Sequence, residues 1–152
     1  MPLETDKSPI VSEPASELPV PRTAPDIVLV EGDVEVAAML SFALTSAGYA
    51  VQVHTSGPEA LEALLALPAD GPQRLVILTV DLVGLDGHTL HEQIKRARPE
   101  SFLVAFLSDR GGDADQIRAF TAGAVDYLVK PVSIPVLIAK VTAWLSLCAN
   151  NE

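Results

Sequence analysis

The chain has 152 residues, 49% of them hydrophobic, enough for one domain with a real core plus a tail. Its formal charge is −10, and of its ten Lys and Arg only Lys95, Arg96 and Arg98 lie near one another, which argues against nucleic acid or an anionic membrane surface as partner. No apolar run reaches the length of a membrane span, the leader MPLETDKSPI lacks the basic-then-apolar order of a signal peptide, and a single cysteine, Cys148, excludes an internal disulfide, so a cytoplasmic protein is expected.

Residues 1–25 hold six of the twelve prolines, with Ser, Glu and Thr between them. Such a composition buries too little apolar surface to offset its ordering entropy, which predicts a disordered, Pro-rich tail. A domain is expected over 26–148, followed by a short tail over 149–152. Ile27–Val30 reads as a buried strand. Val34–Ala47 has helical spacing, with Val36, Met39, Leu40 and Ala43 as its apolar positions, and stops at Gly48. Ala50–His54 alternates as a short edge strand, and Ser56 with Glu59 forms a capping-box pattern, Pro58 in its first turn, opening a helix to about Leu67. Leu75–Thr79 is a third strand, and His88–Arg98 a third helix ended by Pro99. Phe102–Leu107 follows as a strand, Asp113–Ala122 as a helix closed by Gly123, and Ala124–Val129 as a fifth strand. Ser133 caps a last helix that runs to about Cys148.

Strands alternating with helices five times over predict an α/β fold: a doubly wound, five-stranded parallel sheet of flavodoxin-like order 2-1-3-4-5. In such sheets chemistry sits beyond the carboxyl ends of the strands. The residues delivered there are Glu31-Gly32-Asp33, Thr79, Ser108 and Lys130-Pro131.

These residues carry a resemblance. Over 26–148 the chain is similar to the CheY-like receiver domains of bacterial two-component response regulators. The likeness rests on VLVEGD (28–33), LTVDLVGLDG (78–87), FLSD (106–109), GAVDYLVKP (123–131) and the spacing between them. It implies that an acidic pair after the first strand and an aspartate after the third hold Mg²⁺, and that this aspartate accepts phosphate. It also implies a hydroxyl and a lysine that bind the phosphoryl oxygens, a cis peptide to Pro, and an aromatic switch residue. Glu31, Ser108, Lys130, Pro131 and Tyr127 stand at matching positions. The second acidic position is Gly32. The acceptor position, eight residues before Gly87, is Thr79.

Both departures strike the phosphorylation chemistry. Mg²⁺ is anchored by carboxylates, and two of three are gone, so useful Mg²⁺ binding, or any other cofactor, is not expected. A threonine hydroxyl is protonated at pH 7 and has no adjacent base to activate it. Asp81 shares a face with Thr79 on an extended chain and is the alternative acceptor, but it stands about 6.6 Å further along, out of reach of Lys130 and Ser108. Asp33 sits one position too late to replace Gly32 and more naturally caps the first helix. Lys130 is left to pair with Glu31 and hydrogen-bond Thr79, or to hold an anion with Ser108; Tyr127 packs on the sheet edge in one rotamer.

In the family, output runs through the fourth helix, fifth strand and fifth helix. Here Leu137, Ile138, Val141 and Leu145 form the core stripe of the last helix. Val136, Ala143, Trp144 and Leu147 fall outside it, with Lys140 the only charge, which predicts a contact for a protein partner or a second copy. His88 and His91 share one helix without a third ligand, so no metal site is expected; His54 is read as solvated, and Arg110-Gly111-Gly112 as a loop over the pocket mouth. No nucleophile–base pair or phosphate-cradling glycine motif argues for an enzyme. The reading is a stand-alone pseudo-receiver, a phosphorylation-independent interaction module in bacterial signalling. The alternative is a phosphorylatable regulator in a phosphorelay that uses Asp81.

Overall fold

The computed structural model describes residues 25–149; the tail expected over 1–25 lies outside them save for Pro25, and so do residues 150–152. Five strands, β1 (Ile27–Val30), β2 (Val51–His54), β3 (Arg74–Leu78), β4 (Phe102–Ser108) and β5 (Asp126–Val129), alternate with five helices. The helices are α1 (Val34–Ser46), α2 (Gly57–Ala66), α3 (Gly87–Ala97), α4 (Asp113–Thr121) and α5 (Ile134–Ala149). The strands are parallel in the order β2-β1-β3-β4-β5, as expected from the alternation. The chain is of the CheY-like flavodoxin class.

Two-sided burial of the central strands follows from their unbroken branched runs: Ile27–Val30 and Leu75–Leu78 are inaccessible on both faces. On one face Val28, Val76, Val104 and Phe106 meet Ala60 and Leu64 of α2, Leu90 and Ile94 of α3 and Ala119 of α4. On the other, Leu29, Ile77 and Leu107 meet Leu40 and Leu44 of α1 and Leu137, Val141, Trp144 and Cys148 of α5. Among the described residues no helix is long and apolar enough to cross a membrane.

Three expectations are corrected. Trp144 is 6% exposed and belongs to the core, because the buried stripe of α5 runs 137, 141, 144, 148, while Leu145 is only half-buried. Helix α1 buries Ala37, Leu40 and Leu44 and exposes Met39. Apolar on every side, its pattern could not choose a face. Ser56 occupies the N-cap of α2 without a side-chain capping bond; the Gly57 N–H donates instead to the Val83 carbonyl, 3.1 Å away. Asp33 does cap α1, accepting from the N–H groups of Glu35 and Val36 at 3.0 and 3.2 Å, and Gly48 ends it at φ +101°.

The histidines of α3 are buried beside Phe106, with ring centroids 5.2 Å (His88) and 5.4 Å (His91) from it. His88 Nε2 lies 2.8 Å from Asp115 Oδ1 and so joins α3 to α4. His91 is fully buried, and neither ring nitrogen has a hydrogen-bond partner. Burial, helped by the Lys95 charge, pushes its pKa down to about 4. A base whose folded pKa lies below its unfolded value of 6.5 stabilises the fold fully above pH 6.5, and that contribution is lost as pH falls from 6.5 toward 4. His91→Leu is therefore expected to raise stability at pH 7 by about 1 kcal/mol, since two unsatisfied buried nitrogens disappear. It should also remove up to about 3 kcal/mol of stability loss across that acid window. Urea unfolding at pH 7, 5.5 and 4.5 reads both effects.

Candidate functional site

The strand register builds the site. Val30 pairs with Leu78, Leu78 with Phe106, and Phe106 with Tyr127, one line of residues across four strands. Glu31 and Thr79 follow that line directly, and Ser108 and Lys130 stand two and three residues beyond it, so the four emerge at the carboxyl edge. Glu31 donates its N–H to the His54 carbonyl (3.0 Å), Thr79 to Val30 (3.1 Å) and Lys130 to Ser108 (2.9 Å), so each is held by the ladder it leaves. The loop after β3 is pinned from below: a Cβ at Gly87 would stand 2.0 Å from the Thr79 carbonyl oxygen, an approach only glycine permits. Lys130–Pro131 is cis, matching the implication of the resemblance.

The pocket is closed by its own charges. Lys130 Nζ donates to Glu31 Oε1 at 2.7 Å, and Glu31 Oε2 accepts the Asp33 N–H at 3.0 Å. Glu31 is 4% exposed, so this is a buried pair with both carboxylate oxygens engaged. Thr79 and Ser108 are buried beside it, the Ser108 hydroxyl accepting from the Arg110 N–H at 3.3 Å. The bond expected from Lys130 to Thr79 is not formed among the described residues; the ammonium turns to the carboxylate, where a charge-assisted bond is worth more.

Asp81 makes no hydrogen bond to Lys130 or Thr79 among the described residues. It is exposed on the loop after β3 and pairs with the Arg110 guanidinium, Oδ1 to Nε 2.9 Å. The same arginine's carbonyl accepts the Tyr127 hydroxyl. Tyr127 packs on the edge strand as expected, buried, and its ring stacks on Phe106 with centroids 5.5 Å apart. Burial pushes its phenol pKa up, so the hydroxyl stays a donor. The loop Arg110-Gly111-Gly112 is fastened to Asp81, Tyr127 and Ser108, and by Gln116 Nε2, which donates to the Gly111 carbonyl at 3.0 Å.

The structure thus gathers Glu31, Gly32, Thr79, Ser108, Lys130 and Pro131 at one edge, and leaves Asp33 as a helix cap and Asp81 in an ion pair with Arg110. His54, expected in solvent, is half-buried and lies 2.9 Å from Gln52 Oε1. Sequence reasoning missed the His88–Asp115 and Arg110–Asp81 contacts. A signal for the buried imidazoles was present: His88, His91 and Ile94 recur at helical spacing on the face that meets the sheet.

Residues 27–142 match the family model of the response regulator receiver domain, and the chain belongs to that family. It is 33% identical over 121 residues to the transcriptional regulatory protein AfsQ1 of Streptomyces coelicolor, covering 80% of this chain and 51% of that protein. It is 34% identical over 119 residues to the transcriptional regulatory protein HprR of Escherichia coli, covering 78% and 51%. The chain spans about half the length of these curated relatives. Among solved structures it resembles the receiver domain of NtrX from Brucella abortus (29% identity, TM-score 0.70, covering 80% of this chain and 98% of that one). It also resembles the response regulator DrrB of Thermotoga maritima (28%, TM-score 0.65, covering 80% and 52%).

Proposed function

We propose that this receiver acts as a pseudo-receiver, a protein-interaction module whose conformation is set without aspartyl phosphorylation. The observation that carries this reading is Thr79 at the acceptor position beside a Glu31 carboxylate already neutralised by Lys130. A carboxylate nucleophile is absent there, and the donor set does not fit Mg²⁺. Gly32 offers no side chain, Thr79 a neutral hydroxyl, and Glu31 has both oxygens engaged. The Asp81 route is disfavoured because the Arg110 guanidinium already engages that exposed carboxylate at 2.9 Å.

Function then lies on the surface. The face of α4, β5 and α5 exposes Ile117, Phe120, Val129 and Val136, with Leu147 further along α5. Lys140 is held to Asp126 at 3.0 Å, fixing β5 to α5. This face, apolar and rigidly braced, suits a protein partner. Trp144 takes no part in it.

Incubation with a small phosphodonor and Mg²⁺, followed by intact mass measurement, tests the reading. No phosphoryl adduct is expected; an adduct lost in Asp81→Asn would establish the other route. The missing parts can also be restored. A Cβ at Gly32 would stand 3.1 Å from the Asp81 carbonyl oxygen, so a side chain fits there after a shift of a few tenths of an ångström. G32D/T79D is expected to bind Mg²⁺ with a Kd on the order of 1–10 mM, against no saturable binding in the parent. Calorimetry reads the difference.

A further inference from the structure

A second apolar surface lies at the opposite edge of the sheet from β5, on α1 and the edge strand β2. Val34 is 69% exposed, Phe42 75%, and Val53 of β2 stands beside them. These residues, with Ala38, Ser41 and Thr55, line a groove of about 440 Å³. None of them is charged, and Glu35 is the only charged residue of α1. Residues 34, 38 and 42 form one i, i+4, i+8 ridge, which spans about 12 Å of helix axis. On this single face, then, stand a projecting ring, Phe42, and a hollow over Ala38 and Ser41.

We infer that this face binds a second copy of the chain, through a two-fold, antiparallel packing of α1 against α1 centred on Ala38. A two-fold contact must be self-complementary, and this ridge is: Val34 and Phe42, both apolar and exposed, stand symmetrically about Ala38. Centring at Ala38 places Phe42 of each copy against Val34 of the other, and lets the backbones approach where the side chain is smallest. It places Glu35 opposite Ser41, so no like charges meet. That matters for a chain of net charge −10, whose copies repel least where the contact carries no charge. A charged partner would find nothing here to pair with. Because β2 and β5 occupy opposite edges, the dimer leaves the α4–β5–α5 face open.

A handful of apolar side chains is the core of a small interface, so the dimer should be weak, with a Kd on the order of 10–100 µM. Sedimentation velocity of the full chain from about 10 µM to about 1 mM is the test. A concentration-dependent monomer–dimer equilibrium is expected. Phe42→Glu, on a side chain too exposed to matter for folding, should weaken it at least about tenfold, with circular dichroism unchanged. In V34K/F42E the introduced charges face each other across the two-fold axis, so this variant should associate more strongly than F42E or V34K alone, most clearly at low salt. A monomer at every concentration would overturn the inference. So would a dimer insensitive to Phe42→Glu but broken by Phe120→Glu, which would assign self-association to the other face. A monomer whose Phe42 ring is shielded from a dissolved paramagnetic probe would overturn it in favour of residues 1–24 as the cover.

Discussion

Lys130→Met is expected to destabilise the domain by about 3–5 kcal/mol at pH 7. The lysine gives the buried Glu31 its counter-charge at 2.7 Å, and without it the carboxylate keeps only the Asp33 N–H. Glu31→Gln should cost less, because a neutral amide in the same place needs no counter-ion and the lysine side chain, 15% exposed against 5% for that of Glu31, is the nearer of the two to water. The double variant should be more stable than Lys130→Met alone, since it removes both charges and restores neutrality. Urea denaturation of the four proteins closes the cycle, and a coupling of about 2 kcal/mol or more is expected for a buried pair. Additive effects would mean that the pair is solvated and that the pocket is not closed by its own charges.

Arg98→Ala is the second large effect, at about 2–3 kcal/mol. Helix α2 has no basic residue in its last turn, and its C-cap, Leu67, is extended. Its terminal carbonyls are capped from across the domain: Arg98 Nη1 donates to Leu67 O at 2.7 Å and to Leu64 O at 3.3 Å, and Nη2 to Pro68 O at 2.8 Å. The guanidinium also lies over the Phe102 ring, 5.1 Å from its centroid. Removing it leaves several carbonyls of a helix end without partners and a hole beside a core aromatic. Arg98→Lys should recover less than half of the loss, because an ammonium cannot fork between two carbonyls while stacking on a ring. Thermal unfolding ranks the three proteins.

The sheet was legible in the sequence because each element's signal was local: unbroken branched runs for the buried strands, glycines at helix ends, Asp33 before α1. The pocket was legible because it depends on which residue follows each strand. Contacts between distant side chains were not. Arg98 reaches α2 from 30 or more residues away, and nothing in the spacing marks it as a cap. Trp144 was misplaced because α5 is apolar around most of its circumference, so the stripe 137, 141, 144, 148 could not be told from its neighbours. The same ambiguity in α1 hid the exposed Phe42, which the core leaves outside once Ala37, Leu40 and Leu44 have turned in. Lys130 was correctly paired with Glu31 but wrongly given Thr79 as well, since its ammonium commits to the charged partner.

The most direct measurement of the central claim is an amide NMR titration of the full chain with Mg²⁺ and beryllium fluoride, which mimics an acyl phosphate. A pocket whose one buried carboxylate is held by Lys130 should give no saturable shifts at Gly32, Thr79, Ser108 or Lys130. Saturable shifts at those amides, spreading through Arg110 to Tyr127, would contradict it, because the switch would then operate without an aspartate at position 79.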